Sequence, residues 1–443
     1  MNGKPMTTIY DNRAYRARIL HLVADPAVAG AAAVQYYEDG VLWIQNGHVH
    51  AVGPADQILP LPYQVSVREY PNHLIIPGFI DAHVHYPQTA MIASYGEQLL
   101  SWLNTYTFPT EAKFRDAEHA RGIAEIFLDE LLRNGTTTAM VFCTVHTQSV
   151  DAFFSAAKER GLRMIAGKVL MDRNAPADLL DTAQTGYDHS QRLIERWHGV
   201  DRLLYAVTPR FAPTSTPEQL QQAAQLLRNY PDVYLHTHLA ENHGELKWVK
   251  ELFPTAKNYL DVYDQAGLVG ERSVFAHGVH LCVEECQRLA QAGAAVAHCP
   301  SSNLFLGSGL MDLDRLRDQG VNVALGTDVG AGTSFSLFKT MDEAYKIQQL
   351  RGHKLDPLQA FYFATLGGAA ALKLDHCIGN LAPGKEADFS ILDLDATPLL
   401  TFRLQQCNDV QELLFVLNTL GDDRLVQATY ALGKCVHRRG GHG

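Results

Sequence analysis

From residue 76 onward, short apolar runs alternate with amphipathic segments, and this rhythm restricts the fold more than any other feature of the chain. Runs such as Thr138-Ala-Met-Val-Phe142 are apolar on both faces, as parallel strands are when helices cover both sides of the sheet. Strand ends are expected near His85, Cys143, Met171, Arg210, Glu241, Leu281, Asn303 and Gly330. Helices are expected over about 117–134, 150–160, 178–198, 217–229, 243–252, 283–292, 311–319 and 336–350. The first carries Ala120, Ile123, Ala124, Phe127, Leu128, Leu131 and Leu132 on one stripe, and Asn134-Gly135 stops it. Eight strand–helix units in roughly 280 residues suit an α/β fold of the (β/α)8, TIM-like barrel type. An open doubly wound sheet gives a similar string. The placement of polar residues separates the two, because a barrel gathers its chemistry at the C-terminal ends of several strands.

That is where the polar residues fall. The segment Pro77–Gln88 reads as the end of a buried strand, and alternation puts His83 and His85 on one face of it. The fifth strand end supplies His236, His238 and Glu241, the sixth His277 and His280, the seventh His298 and Asn303, the eighth Asp328, and the fourth Arg210. Taken singly, each could be a buried structural residue; together they point to a metal site. Imidazoles and a carboxylate suit a divalent ion such as zinc and leave room for a water. Such an ion lowers the pKa of its water from about 15.7 toward about 7. Asp328 can orient that water and take its proton, and Glu241 can act as general acid and base on a substrate. His236 shares a strand face with His238, and Asp81 shares one with His83 and His85, so alternation leaves these two open. His280 and His298 are read as structural.

The two ends of the chain have a different character. Val41–Gln45 and His48–Val52 flank Asn46-Gly47, a strong hairpin signal. Strand patterns return at Ala387–Leu394 and Val426–Val436. The 443 residues exceed one ordinary core, so we expect a small β-sandwich built from residues 1–75 and 379–443 beside a barrel spanning 76–378. The formal net charge of -11 argues against nucleic acid or an anionic membrane as partner. No stretch approaches the ~20 apolar residues of a membrane span. No basic segment followed by an apolar core opens the chain, and seven scattered cysteines suit a reducing compartment, so a cytoplasmic protein is expected. Cys282 and Cys286 have no second pair to complete a structural zinc knuckle.

The ligand-type strand ends, together with Pro383-Gly-Lys-Glu-Ala-Asp-Phe389, resemble the amidohydrolase superfamily across nearly the whole chain. Members often carry a carboxylated lysine at the fourth strand that bridges two metals. Arg210 stands at that position here, so the resemblance implies one metal, and Lys168 is read as structural. Longer segments are similar to the guanine-deaminating branch: His85-Tyr-Pro-Gln88, Tyr95–Asn104, Thr107-Phe-Pro-Thr-Glu111, Thr208–Pro213, His236–Asn242 and Asn303–Gly309. The resemblance implies one zinc ion per subunit on His83, His85, His238 and Asp328. It implies Glu241, Asp328 and His277 as catalytic residues, His277 bonding the water or intermediate. Gln88, Arg210 and Phe211 would line a purine pocket, with His85, His238, Glu241 and Asp328 also meeting the substrate. It further implies a homodimer that converts guanine to xanthine and ammonia in purine catabolism or salvage. The chemistry of the side chains agrees. Arg210 offers donors to a C6 carbonyl, the Gln88 amide both donates and accepts, and Phe211 or Trp102 can pack on a ring face.

The shared metal residues do not separate guanine from adenosine-, cytosine- or triazine-type substrates, nor does the fold exclude a barrel that has lost its chemistry. The other zinc deaminase fold requires Pro-Cys-x-x-Cys, whereas this chain has Cys299-Pro300 in the reverse order.

Overall fold

A computed structural model describes residues 12–96 and 98–440. Eight parallel strand positions follow one another: Phe79–His85, Thr136–Phe142, Arg163–Gly167, Leu204–Pro209, Tyr234–Leu239, Ser273–His277, Ala295–His298 and Asn322–Leu325. The third continues as Val169–Leu170, which pairs with the fourth. The first and last positions meet just beyond the eighth strand, where Asp328 N donates to His83 O at 2.9 Å and His85 N donates to Val329 O at 3.0 Å. The buried carboxylate of Asp81 ties the same seam, accepting from the Thr327 hydroxyl, from Thr327 N at 3.0 Å and from His83 N at 3.2 Å. The element string therefore closes into a barrel rather than an open sheet.

Small and branched residues fill the interior, among them Ile80, Ala82, Met140, Ile165, Ala206, Val274, Ala295, Ala297 and Ala324. Small side chains suit the narrow axis of an eight-stranded barrel. The outer faces of the strands bury Leu, Val and Phe against the surrounding helices. Helix Ala117–Arg133 is capped by Asp116, which accepts from Glu118 N and His119 N, and it buries the stripe expected of it. Thr182 and Thr185 form a capping box that delays the next-but-one helix to Ala183–Trp197, five residues later than expected. The sixth strand ends at His277, not near Leu281, so His280 lies beyond it.

Several helices lie outside the expected set. Tyr259–Ala266, Pro300–Phe305, Pro357–Ala364 and Leu366–Ala371 belong to the barrel. Pro398–Leu404 and Val410–Leu420 interrupt the C-terminal segment, where only strands were expected. Pro357–Ala364 and Val410–Leu420 are apolar around much of their circumference, so neither shows a clean 3.6-residue period. The stretch after the first strand is mostly helical turns: Tyr86–Met91, Leu99–Trp102, Leu103–Thr107 and Phe108–Glu111.

Both chain ends join one continuous seven-stranded sheet, in the order Lys434–Arg438, Val426–Ala431, Phe389–Asp393, Ser66–Pro77, Arg13–Leu22, Val34–Gln45 and His48–Pro54. All neighbours are antiparallel except Arg13–Leu22 with Ser66–Pro77, and bulges bend the sheet. Asn46 and Gly47 take φ of 53° and 77° in the expected hairpin turn. Phe389 and Tyr430 stack at 4.4 Å in the sheet's own core. Arg163 and Arg202, on the barrel, clamp Glu386 at 2.9 and 2.7 Å, and Arg202 also bonds Asp388. All seven cysteines are free.

Candidate active site

The C-terminal strand ends converge as the barrel grammar requires. Strand alternation turns His83 and His85 inward, and the His83 ring stands perpendicular to that of His85, with centroids 4.9 Å apart. His83 Nε2 lies 3.1 Å and His85 Nε2 3.3 Å from Asp328 Oδ1, and His85 Nε2 lies 3.2 Å from His238 Nε2. One ligand atom from each of His83, His85, His238 and Asp328 falls within 4.8 Å of all the others.

Hydrogen bonds orient these rings from behind. His238 Nδ1 donates to the Arg210 carbonyl at 2.7 Å, which leaves the Nε2 lone pair facing the group. His83 Nδ1 meets His236 Nε2 at 2.8 Å. Assigning the proton to His83 Nδ1 leaves a lone pair on His83 Nε2, a buried nitrogen with no hydrogen-bond partner among the described residues. His236 therefore stands behind His83, and alternation could not have told this. Burial holds His85 down at about 3 and keeps His83, His236 and His238 below the ordinary imidazole range, so all four are neutral at pH 7. Burial alone would raise Asp328, but its imidazole neighbours, His83 foremost, outweigh it and hold the carboxyl well below its usual range. Neutral imidazoles around an ionised carboxylate are a donor set for a divalent cation. Spacings of 3.1–3.3 Å match ligand atoms about 2.0–2.1 Å from a common centre. The residues fit such an ion. A second grouping, His83, His277, Cys299 and Asp328, also lies within reach. Burial pushes the Cys299 thiol well up, so the thiolate that a metal needs is disfavoured there.

The other titratable residues expected at the site sit beside this group. His277 Nδ1 bonds Asn303 Oδ1 at 2.9 Å, and its Nε2 lies 3.4 Å from Glu241 and 3.7 Å from Asp328. Glu241 accepts from the Ser308 hydroxyl at 3.3 Å. Burial, then the charge of Asp328, pushes the Glu241 carboxyl up to about 8, so it holds a proton at neutral pH. Ala240, His277 and Asp328 all have positive φ (50°, 73° and 51°), so three strand ends carry backbone strain at this mouth.

A small cavity opens beside the group. His85, His238, Glu241, His277 and Asp328 form its floor, with Gln88, Arg210, Phe211 and Trp102 among its other walls. Every residue expected at the site is thus brought to one place. His280 instead bonds Ser308 O at 2.8 Å, and Lys168 is buried against Val169 O and Asp181, as structural residues are. Glu111 was missed. It is fully buried behind Gln88 and Arg210 and bonds both. Its segment Thr107–Glu111 stood out only by resemblance, and nothing in its spacing marked the acid.

The chain belongs to the amidohydrolase family, whose pattern it matches over residues 74–436. Within that family it is 53% identical to the guanine deaminase of Escherichia coli (strain K12) over 410 residues, 92% of this chain and 93% of that one. The solved E. coli guanine deaminase superposes with a TM-score of 0.94 at 51% identity, covering 97% of this chain and 100% of the other. A guanine deaminase from C. acetobutylicum, solved with guanine bound in its active site, superposes at 0.87 with 28% identity, covering 96% and 100%.

Proposed function

We propose that the chain hydrolyses guanine to xanthine and ammonia, with zinc held by His83, His85, His238 and Asp328. One observation carries the reading. A protonated acid and a four-atom metal-type donor set face a small cavity whose other wall, Arg210 and Gln88, suits an oxo-purine edge. When bound, the ion supplies a water whose pKa falls from about 15.7 toward about 7. The residues do the rest. Arg210 donates to the C6 carbonyl, Gln88 meets the neighbouring ring edge, and Phe211 and Trp102 pack on the ring face. These lining side chains are buried, so each of these contacts is stronger there than in water. Glu241 gives its proton to the ring nitrogen beside C2 as water adds at C2. Asp328 accepts the proton that the water loses and passes it to the amine. The C2–N bond breaks and ammonia departs, and the C2 hydroxyl left behind returns its proton to Glu241, which leaves xanthine and resets the acid. His277, fixed by Asn303, holds the added oxygen by a hydrogen bond.

The division into a barrel over residues 76–378 and a terminal unit from 1–75 and 379–443 belongs to this reading, as do a homodimer and a role in purine catabolism or salvage. Seven free cysteines support a cytoplasmic setting. Ammonia release from guanine, adenine, cytosine and 8-oxoguanine tests the function. Guanine is expected to be the best substrate, and a preference for adenine or cytosine would overturn it.

A further inference from the structure

We infer that Glu111 is a positioning residue that fixes which purine edge the pocket accepts, an inference that rests on the guanine reading above. The short helical segment Phe108–Glu111 runs behind the cavity wall, with the Phe108 ring 5.5 Å from the Arg210 guanidinium carbon. At its end, one carboxylate reaches two side chains brought by different strands. Glu111 Oε2 accepts from Arg210 Nη1 at 2.7 Å, and Oε1 accepts from Gln88 Nε2 at 3.2 Å. Glu111 is fully buried and is not among the residues bordering the cavity, whereas both of its partners are.

A plain structural ion pair would not be expected to spend its second oxygen on a neutral amide that also faces the ligand. Here the second bond has a consequence. A carboxylate paired with arginine only accepts, so it forces the nitrogen end of the Gln88 amide toward itself. Gly330 N, which only donates, meets Gln88 Oε1 at 3.3 Å from the other side. Gln88 is thus held in one orientation and offers the ligand one remaining N–H beside one remaining lone pair. Arg210 keeps donors but has no acceptor to offer. A purine carrying a carbonyl at C6 satisfies that wall. A 6-amino group would set donor against donor, and a bare C6–H would leave a buried guanidinium edge unpaired. Without the Glu111 charge, only the 3.3 Å bond from Gly330 N orients the Gln88 amide, and Arg210 becomes an uncompensated buried cation.

The test compares wild type, Glu111→Gln and Glu111→Asp as metal-loaded enzymes. The substrates are guanine and 2-aminopurine, which keeps the 2-amino group and lacks the 6-carbonyl. For Glu111→Gln, KM for guanine should rise on the order of tenfold or more, the loss expected for a charge-assisted bond. The kcat for guanine should change less than that. The ratio of kcat/KM for guanine over 2-aminopurine should fall by a similar factor. Glu111→Asp keeps the charge but is too short to span both partners, and should move the same quantities in the same direction by less. A folded Glu111→Gln with wild-type KM and ratio overturns the inference, as does a loss confined to kcat. Should Glu111→Gln fail to fold, unchanged values in Glu111→Asp overturn it. Wild-type protein that releases no ammonia from guanine overturns the guanine reading and this inference together. Normal wild-type turnover with unaltered variants overturns this inference alone.

Discussion

In the proposed reaction Glu241 bears the heaviest chemical demand of any single side chain, because a general acid must hold its proton at working pH and then release it. Its surroundings are arranged for that. Burial and the ionised Asp328 push the carboxyl up to about 8, while the Ser308 hydroxyl bonds Oε1 and fixes its direction. Replacing it with glutamine keeps the shape and removes the transferable proton. Glu241→Gln should therefore lower kcat for ammonia release by roughly 10²–10⁴-fold. KM should stay within a few-fold, since the contacts of Arg210 and Gln88 are untouched. The sign of the pH dependence follows from the same shift. The acid is protonated below about 8, so wild-type turnover should fall as pH rises through that value. The residual activity of Glu241→Gln should lack this alkaline limb. A wild-type profile that stays level well above pH 8 would count against Glu241 as the acid.

At the level of elements, what the sequence disclosed was periodic and local, and what it hid was neither. Apolar strands repeating with striped helices announced the barrel, and His83-x-His85 placed two imidazoles on one face because alternation is a property of any strand. The rank of the histidines did not follow from alternation. His236 and His238 face the same way, and only the bonds to His83 and to the Arg210 carbonyl tell the supporting ring from the proposed ligand. Glu111 was illegible for a related reason: its partners lie 23 and 99 residues away, and no spacing rule joins them. The join between the two sheets was equally hidden. Glu386 sits in the Lys385-Glu-Ala segment noted by resemblance, yet its role appears only when Arg163 and Arg202 reach it from the barrel. Burial alone would raise the Glu386 carboxyl, but the two arginines hold it below the ordinary range. A depressed carboxylate stabilises the fold above the unfolded pKa of about 4.3, and that stability is lost as pH falls below it. Glu386→Gln leaves Arg163 without its carboxylate partner and Arg202 with Asp388 alone, and should cost about 3–5 kcal/mol. At about 2.1 cal/mol/K per residue, a chain of this length loses about 1 °C of Tm per kcal/mol, so calorimetry at pH 7 should show a drop of about 3–5 °C. The gap between variant and wild type should narrow toward pH 4.

Across the whole molecule, the proposed zinc ligands come from three places that are far apart in the chain: the end of the first strand, the end of the fifth, and the turn after the eighth. Those same residues sit at the barrel's closing seam, where Asp328 N bonds His83 O and Asp81 ties Thr327. A divalent ion on this set would therefore link the first and last units of the barrel as well as supply chemistry. Binding to the folded chain alone stabilises it by RT ln(1 + [L]/Kd), about 4 kcal/mol when the free ion is at a thousand times its Kd. Stripping the ion with a chelator should abolish ammonia release and lower Tm by about 4 °C on the scale used above. Returning zinc should restore both. The effect has an internal control in His238→Ala. That variant removes one ligand from the fifth strand but leaves the seam hydrogen bonds between His83, His85, Asp328 and Val329 in place. In it, the chelator-sensitive part of Tm should shrink together with zinc content, measured by atomic absorption. Full-strength zinc binding and an unchanged chelator response in His238→Ala would remove this histidine from the metal set and favour the grouping of His83, His277, Cys299 and Asp328.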